Sequence, residues 1–257
     1  MSMPGKRVQG GKQARGRAGL CQALLSLLLF TLLLLCVPVR AEPVLTMGYV
    51  EFPPFFFTDA RGQAQGTIIE MARKVTQRAG YQLNPVYFPP RRMEKSLAEG
   101  RIDLWIGLDT FELMAHNTLS SKTVVSTIEL RAYHKPGKPP ISHLDQLAGS
   151  QVGVYFGYSY GGWMKRIQDP ASGIEPVFVR IRSQAARMLT SDRIDYLLDY
   201  RGPFESQVDS NITGYLEYET LATYNLYFVL SRKRPDTYQL MSQLENAWRQ
   251  LKREGEI

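Results

Sequence analysis

The sequence predicts an α/β protein of two similar lobes, and three features point to it. The block from Leu97 to Asp109 ends a helix, breaks at Glu99-Gly100, passes through Arg101-Ile102-Asp103 and enters a short apolar run. The block from Leu189 to Tyr200 repeats that order around Arg193-Ile194-Asp195. An apolar run of about 4–8 residues between turn signals suits a strand covered on both faces, as in a parallel sheet. Between the blocks, Pro136-Gly137-Lys138-Pro139-Pro140 is the sharpest break in the chain.

The first 41 of the 257 residues differ from the rest. Lys6, Arg7, Lys12, Arg15 and Arg17 precede an apolar run from Ala23 to Val37, Pro38 breaks it, and Val39-Arg40-Ala41 offers small residues for cleavage. That is the three-part layout of a secretory signal peptide. The run is about 15 residues long, and a membrane span needs roughly 20. Leu35 is bulky where a lipoprotein signal ending at Cys36 would carry a small residue. A soluble periplasmic protein beginning at Glu42 is therefore expected.

Six of the 31 Lys and Arg residues lie in this leader and none of the 24 Asp and Glu, which leaves 25 against 24 in the mature chain. The formal charge of +7 on the whole chain is thus a targeting feature, and nucleic acid is not expected as a partner. Cys21 and Cys36 fall in the leader as well, so no disulfide or thiol chemistry is expected of the mature protein.

In the mature part, Val44–Val50 reads as a strand, and the prolines of Glu51-Phe52-Pro53-Pro54-Phe55 forbid helix or central strand after it. Ile68, Met71, Ala72, Val75 and Ala79 form one helical stripe closed by Gly80. Leu83–Phe88 is a strand stopped by Pro89-Pro90, Arg91–Glu99 a short helix, and Asp103–Leu108 a third strand. Right-handed crossovers make such a unit a parallel sheet. Ser126–Lys135 alternates and reads as extended.

After the break the order restarts. Ser142–Leu147 is a short helix, Val152–Phe156 a strand, and a helix follows Gly157–Gly162 through Ile167. Then come a strand over Glu175–Ile181, a helix over Gln184–Thr190, a strand over Ile194–Tyr200 and a helix over Gly202–Val208. Tyr224–Ser231 is extended, and Pro235–Arg253 is a helix with Leu240, Leu244, Ala247, Trp248 and Leu251 facing inward. This last strand and helix are expected to return to the first lobe. Lobe 1 then spans 42–134 plus 224–257, and lobe 2 spans 137–222. Two extended crossings, near Ala132–Pro136 and Leu221–Asn225, would form a hinge suited to closure around a ligand.

Several motifs, in this order, resemble the bacterial extracellular solute-binding proteins of family 3. Phe52-Pro53-Pro54-Phe55 is similar to the family's aromatic-Pro-Pro-Phe after its first strand, and Gly66 to Ala72 to its Gly-x-x-x-acid-x-Ala helix start. Leu97 to Asp103 matches Leu-x-x-Gly-x-x-Asp, and Leu147-Ala148-Gly149 through Gly157 matches its Leu-x-Gly, strand, Gly series. The resemblance runs through nearly all of the mature chain. It implies a two-lobe periplasmic binding protein (type II, Venus-flytrap) with two hinge crossings. Such a clamp is expected to be a monomer that binds one small molecule and presents it to an inner-membrane ABC permease. The same fold also serves membrane sensors, and a few periplasmic dehydratases share it.

In open α/β sheets ligands sit beyond the carboxyl ends of the strands, which here nominates Glu51, Phe52, Phe55, Arg91, Asp109, Thr110, Tyr158, Ser159, Arg182 and Ser183. Phe52 and Phe55 suit stacking on a planar group or packing under their loop. Ser159 suits a helix cap at an anion site, and Arg91 and Arg182 suit an anion directly. Glu51 and Asp109 fit turn caps as well as ligand contacts. His116, His134 and His143 are isolated in sequence and read as surface, without metal-ligand spacing. With no His-Glu-x-x-His, no phosphate-binding glycine loop and no mature Cys, neither cofactor nor enzymatic activity is expected.

The resemblance also implies where amino-acid receptors hold a zwitterion. The Arg that pairs with the α-carboxylate falls at Ala115, and the acid that holds the α-ammonium falls at Ser183, beside Arg182. Shifting that alignment leaves His116 or Arg131 as the cation. Ordinary α-amino acids are therefore not the expected ligands, and an anionic or planar solute is. The leader makes the first prediction: Edman sequencing of protein released by osmotic shock should begin at Glu42, and an intact leader in the membrane fraction would contradict it.

Overall fold

The computed structural model describes residues 1–2, 5, 42–110 and 115–257, with the backbone alone for Arg91. The leader expected over 1–41 lies outside the described residues except at those three positions. Among the described residues no helix is long and apolar enough to cross a membrane.

The first half of the compact unit from Glu42 to Ile257 begins with β1 (Val44–Tyr49), followed by the small hairpin of β2 (Phe57–Thr58) and β3 (Ala64–Gln65). Then come α1 (Thr67–Arg78), β4 (Gln82–Tyr87), α2 (Pro90–Ala98) and β5 (Leu104–Gly107). β1 pairs in parallel with β4 along its length and with β5 at Met47 and Leu104. After β6 (Thr118–His134) the pattern repeats with β7 (Gln151–Tyr155), a one-turn α3 (Met164–Ile167), β8 (Glu175–Val179), α4 (Arg182–Thr190) and β9 (Tyr196–Tyr200). β7 pairs in parallel with both β8 and β9. The chain ends in α5 (Arg201–Gln207), α6 (Ser210–Tyr215), β10 (Glu217–Ser231) and α7 (Thr237–Glu254).

β6 and β10 differ most from expectation. They are extended over 17 and 15 residues, far beyond the predicted 126–135 and 224–231, and they pair with each other antiparallel from Thr118↔Ser231 to His134↔Glu217. β5 joins β10 at Tyr227–Leu230, and β9 joins β6 at Leu130–Tyr133. All eight long strands thus form one sheet in the order β4-β1-β5-β10-β6-β9-β7-β8. The directions matter for function. β5 runs alongside β6, β9 runs against it, and the two attach to opposite ends of the ribbon. The carboxyl ends of both parallel sets therefore point toward the middle of the ribbon. Ala132, where the first crossing is expected to begin, already pairs with Leu198 of β9.

The repeated Arg-Ile-Asp has one physical job in both halves. Asp103 receives the Thr46 N–H on its carboxylate at 2.8 Å, and its own N–H donates to the Thr46 carbonyl at 2.8 Å. Asp195 does the same to Gln151, at 2.9 and 2.8 Å. Each carboxylate also holds a cation, Arg234 at 2.7 Å and Lys138 at 2.6 Å. Ile102 and Ile194 are buried, and each lies where a side chain on Gly48 of β1 or Gly153 of β7 would have to sit. The motif therefore clamps the third strand of each unit onto the first.

Leu240, Leu244, Ala247 and Leu251 of α7 are buried as expected, in one core with Leu45, Met47 and Ile69. His134 departs from its expected surface position. It is buried, with Nε2 at 3.0 Å from Glu219 and Nδ1 at 2.9 Å from the Lys135 carbonyl.

Gly66 precedes α1 with φ 123°, and a Cβ there would collide with the Phe55 carbonyl. That region is strained for any other residue, and the clash adds to it. Gly66→Ala is expected to lower unfolding free energy by more than about 1 kcal/mol in urea denaturation; an unchanged midpoint would contradict the geometry.

Candidate functional site

The loop after β1 is built by its own backbone. Phe52 and Phe56 exchange N–H···O bonds of 2.8 and 3.1 Å, and the Phe55 N–H donates to the Phe52 carbonyl at 3.0 Å. The first free N–H groups of α1 complete the hold, Thr67 donating to the Pro54 carbonyl and Ile68 to that of Phe55. A helix start that leaves its amides unpaired inside the helix thus fixes a proline-rich loop. The loop lifts Phe52 and Phe55 toward the other half of the molecule, stacked on each other with ring centroids 5.7 Å apart.

There they meet the carboxyl ends of β7 and β9. The Phe52 ring lies 6.0 Å from Tyr158 and 5.2 Å from Tyr200. Phe55 covers Gly202, where a Cβ would come within 2.5 Å of its ring. The Ser206 hydroxyl donates to the Pro53 carbonyl at 3.3 Å. Tyr160 and Tyr224 back Tyr200, at 5.9 and 6.4 Å. Aromatic contacts thus dominate the seam, and Tyr224 reaches it from β10 itself.

Behind Tyr158 lies a buried ion pair. Arg182 donates from Nε and Nη2 to the two oxygens of Asp199 at 2.7 and 3.2 Å, from Nη2 to the Tyr158 hydroxyl at 2.7 Å and from Nη1 to Gln207 at 3.3 Å. Its guanidinium also sits 4.6 Å from the centre of the Tyr155 ring. Asp199 is 0 % exposed and takes a further N–H from Tyr200. Burial lifts the Asp199 carboxyl to about 6, against the downward pull of Arg182. Burial also pushes the Tyr158 hydroxyl up to about 12, so it stays protonated at neutral pH.

The structure therefore brings Phe52, Phe55, Tyr158 and Arg182 together, with Arg182 one layer back and its charge already matched. The remaining expectations separate. Glu51 is exposed and takes the Thr58 hydroxyl at 2.6 Å and its N–H at 3.1 Å, so it braces the β2–β3 hairpin. Asp109 is half-buried and Thr110 exposed just past β5, and Ser183 is half-buried in the first turn of α4. The Arg91 side chain lies outside the described residues.

Ser159 corrects its expectation as an anion-binding cap. Its side chain caps nothing, because Tyr160, Gly161 and Gly162 take positive φ of 50°, 65° and 99° and break the helix into a 3₁₀ turn and the single turn of α3. Gly157 to Gly161 also spells Gly-x-Ser-x-Gly, a spacing that nucleophile elbows use. Here Ser159 sits at φ −91°, ψ −20°, an ordinary helical conformation, and His134 is engaged by Glu219. Among the described residues Ser159 makes no hydrogen bond to a histidine.

The alternatives for a missing cation are likewise occupied or remote. Arg131 is held by Glu129 at 2.6 Å and Glu205 at 3.0 Å, under the Tyr218 ring. His116 and Ala115 are exposed in a turn. Among the described residues no group of three His, Cys, Asp or Glu side chains is placed to hold a metal ion. Asp199 and Tyr200 belong to the strand end 199–201 that the sequence marks as a candidate cleft wall, whereas Gly202 and Tyr224 were not singled out. Nothing local marks Tyr224.

The model of the bacterial extracellular solute-binding proteins, family 3, matches residues 45–257. An ancestral arginine-binding protein solved with arginine bound is similar over 84% of this chain and 95% of its own, with TM-score 0.64 at 21% identity. A histidine kinase sensor domain described as similar to periplasmic binding proteins gives TM-score 0.67 at 18% identity, over 84% of this chain and 93% of its own. A putative L-cystine ABC transporter protein from Listeria monocytogenes gives 0.63 at 18%, over 83% and 92%. No curated protein sequence matches the chain.

The buried pair makes a prediction about stability. Arg182→Met strands an unpaired carboxylate at Asp199 and should cost about 3–5 kcal/mol, while Arg182→Met with Asp199→Leu should recover much of that loss. Urea unfolding of both variants measures the difference; equal losses would mean that the pair is not energetically coupled.

Proposed function

Because the chain belongs to the bacterial extracellular solute-binding proteins, family 3, we propose that it captures a small solute between two lobes in the periplasm and delivers it to an inner-membrane ABC importer. One observation carries this reading: the Phe52–Phe55 loop of the first half meets Tyr158, Tyr200 and Gly202 of the second where the strand ends converge. A solute at that seam touches both halves at once, so its binding energy favours whichever domain arrangement places both sets of contacts.

In this reading the lobes expected over 42–134 plus 224–257 and over 137–222 meet at hinge crossings inside the ribbon, which moves their bounds to 42–124 plus 227–257 and to 130–221. Between the β5-bound and β9-bound parts, β6 leaves residues 125–129 and β10 leaves 222–226 as the bending segments. The β10 stretch is flanked by register shifts at Thr220/Ala222 and Leu226/Tyr227, and irregular pairing gives a strand room to bend. The clamp acts as a monomer, without cofactor and without catalysis.

A sensory role is the second reading, favoured by the likeness to a kinase sensor domain. In that case the closed form docks on a membrane signalling protein, and the fold needs no change.

A thermal-shift screen of the mature protein against periplasmic metabolites tests the clamp, since a bound solute raises the melting temperature by mass action. Deleting the gene should abolish uptake of the labelled solute found. Normal uptake with a lost transcriptional response would place the protein in sensing instead. Conversion of the solute would make it an enzyme, and no shift with any solute would remove the clamp.

A further inference from the structure

We infer that the solute is a planar, uncharged ring compound with a hydrogen-bond acceptor, read by the Tyr158 hydroxyl between the rings of Phe52 and Tyr200. This deepens the clamp reading and rests on it. Three features of the seam converge on that class.

The first is surface chemistry. Beside the Ser206–Pro53 hydrogen bond, cross-seam contacts run ring to ring, Phe52 with Tyr158 and Tyr200, and ring to backbone, Phe55 with Gly202. Phe52 and Tyr200 meet edge-on, with 70° between their planes, and a planar solute entering between them exchanges that one aromatic contact for two. Offset and edge-on aromatic pairs are favourable at centroid distances of about 4.5–7 Å.

The second is charge. Of the described cations beside the seam, Arg182 is bound by both oxygens of Asp199 and by Gln207, and Arg201, between Tyr200 and Gly202, is paired with Glu205 and Glu129. Arg131 is held by Glu129 and Glu205. A zwitterion or an anion placed among these rings would lose its water without gaining a free counter-charge from these described arginines, which makes its burial unfavourable. The expectation of an anion bound directly by Arg182 is therefore withdrawn.

The third is hydrogen-bond direction. The Tyr158 oxygen accepts from Arg182 Nη2, its only partner among the described residues. Its proton is consequently left to point elsewhere, and the ring stands against Phe52. The neighbouring hydroxyls are differently placed. That of Tyr160 accepts from the Tyr155 N–H and donates to the Leu198 carbonyl, and that of Tyr224 donates to the Tyr160 carbonyl. Tyr158 is thus a donor without an acceptor. Arg182 and Asp199 act as positioning residues that aim it.

Benzamide, benzoate and benzamidine carry a neutral, an anionic and a cationic head on one ring, and they separate these possibilities. Calorimetric titration of the mature chain should find benzamide binding at about millimolar affinity, as its size allows. It should bind at least tenfold more tightly than benzoate, benzamidine, arginine or glutamine. Tyr158→Phe should weaken benzamide about tenfold, the worth of one hydrogen bond, and Phe52→Leu should weaken it severalfold, with thermal melts confirming that both variants fold. Equal or tighter binding of any charged probe, no binding of benzamide, or affinity unchanged in both variants would overturn the proposal. If another solute then raises the melting temperature, the clamp stands and only the ligand class falls.

Discussion

The antiparallel ribbon of β6 and β10 is the constraint on which the rest depends, because both halves of the molecule hang from it by backbone hydrogen bonds. β5 attaches near one end and β9 near the other. Since the two strands of the ribbon run in opposite directions, the parallel sets they carry are forced to run toward each other. The carboxyl ends of β1, β7 and β9 therefore converge, and the loops that follow them meet. In an ordinary doubly wound sheet the ligand site lies at one edge of one sheet. Here two such edges face each other, and the proposed site is the space between.

Within each half, position is controlled by a carboxylate rather than by the apolar core alone. Asp103 and Asp195 each tie the entry of the third strand to the first through paired backbone bonds, and each also recruits a cation from a distant segment. Hydrogen bonds to an ionised acceptor are stronger than neutral ones, and a strand held at its start cannot slip in register without breaking them. The buried isoleucine beside each aspartate fills the space that a glycine on the first strand leaves open. Strand order and strand spacing are thus set by the same three-residue sequence, twice.

The seam follows a different logic. Its rings supply large apolar faces that are indifferent to the sign of a partner, and the charges nearest to it are neutralised from behind. Arg182 and Asp199 orient Tyr158 and bind each other, so the electrostatic character that marks receptors of charged solutes is turned inward. In the proposed clamp, specificity comes from shape, ring contact and one directed hydroxyl.

The order of elements, the two parallel units and the return of the last helix to the first core were legible in the sequence, because each rests on local periodicity and on turn residues that act within a few positions. The paired Arg-Ile-Asp blocks were legible for the same reason. The full lengths of β6 and β10 were not. Their crossing segments mix exposed Thr127, Thr223 and Asn225 with apolar neighbours, and such a pattern looks like loop until the partner strand is known. Phe52, Phe55 and Tyr158 were marked by their place at strand ends, but Arg182 was read as a free cation. Only the fold brings Asp199 to it from 17 residues away. The Ser159 helix start failed because positive φ at three consecutive residues overrode a plausible cap. Sequence by itself determined what each segment forms, since that is decided by neighbours in the chain. Tertiary structure decided which charges remain free and which rings face the cleft, since those depend on partners that meet only when distant strands pair.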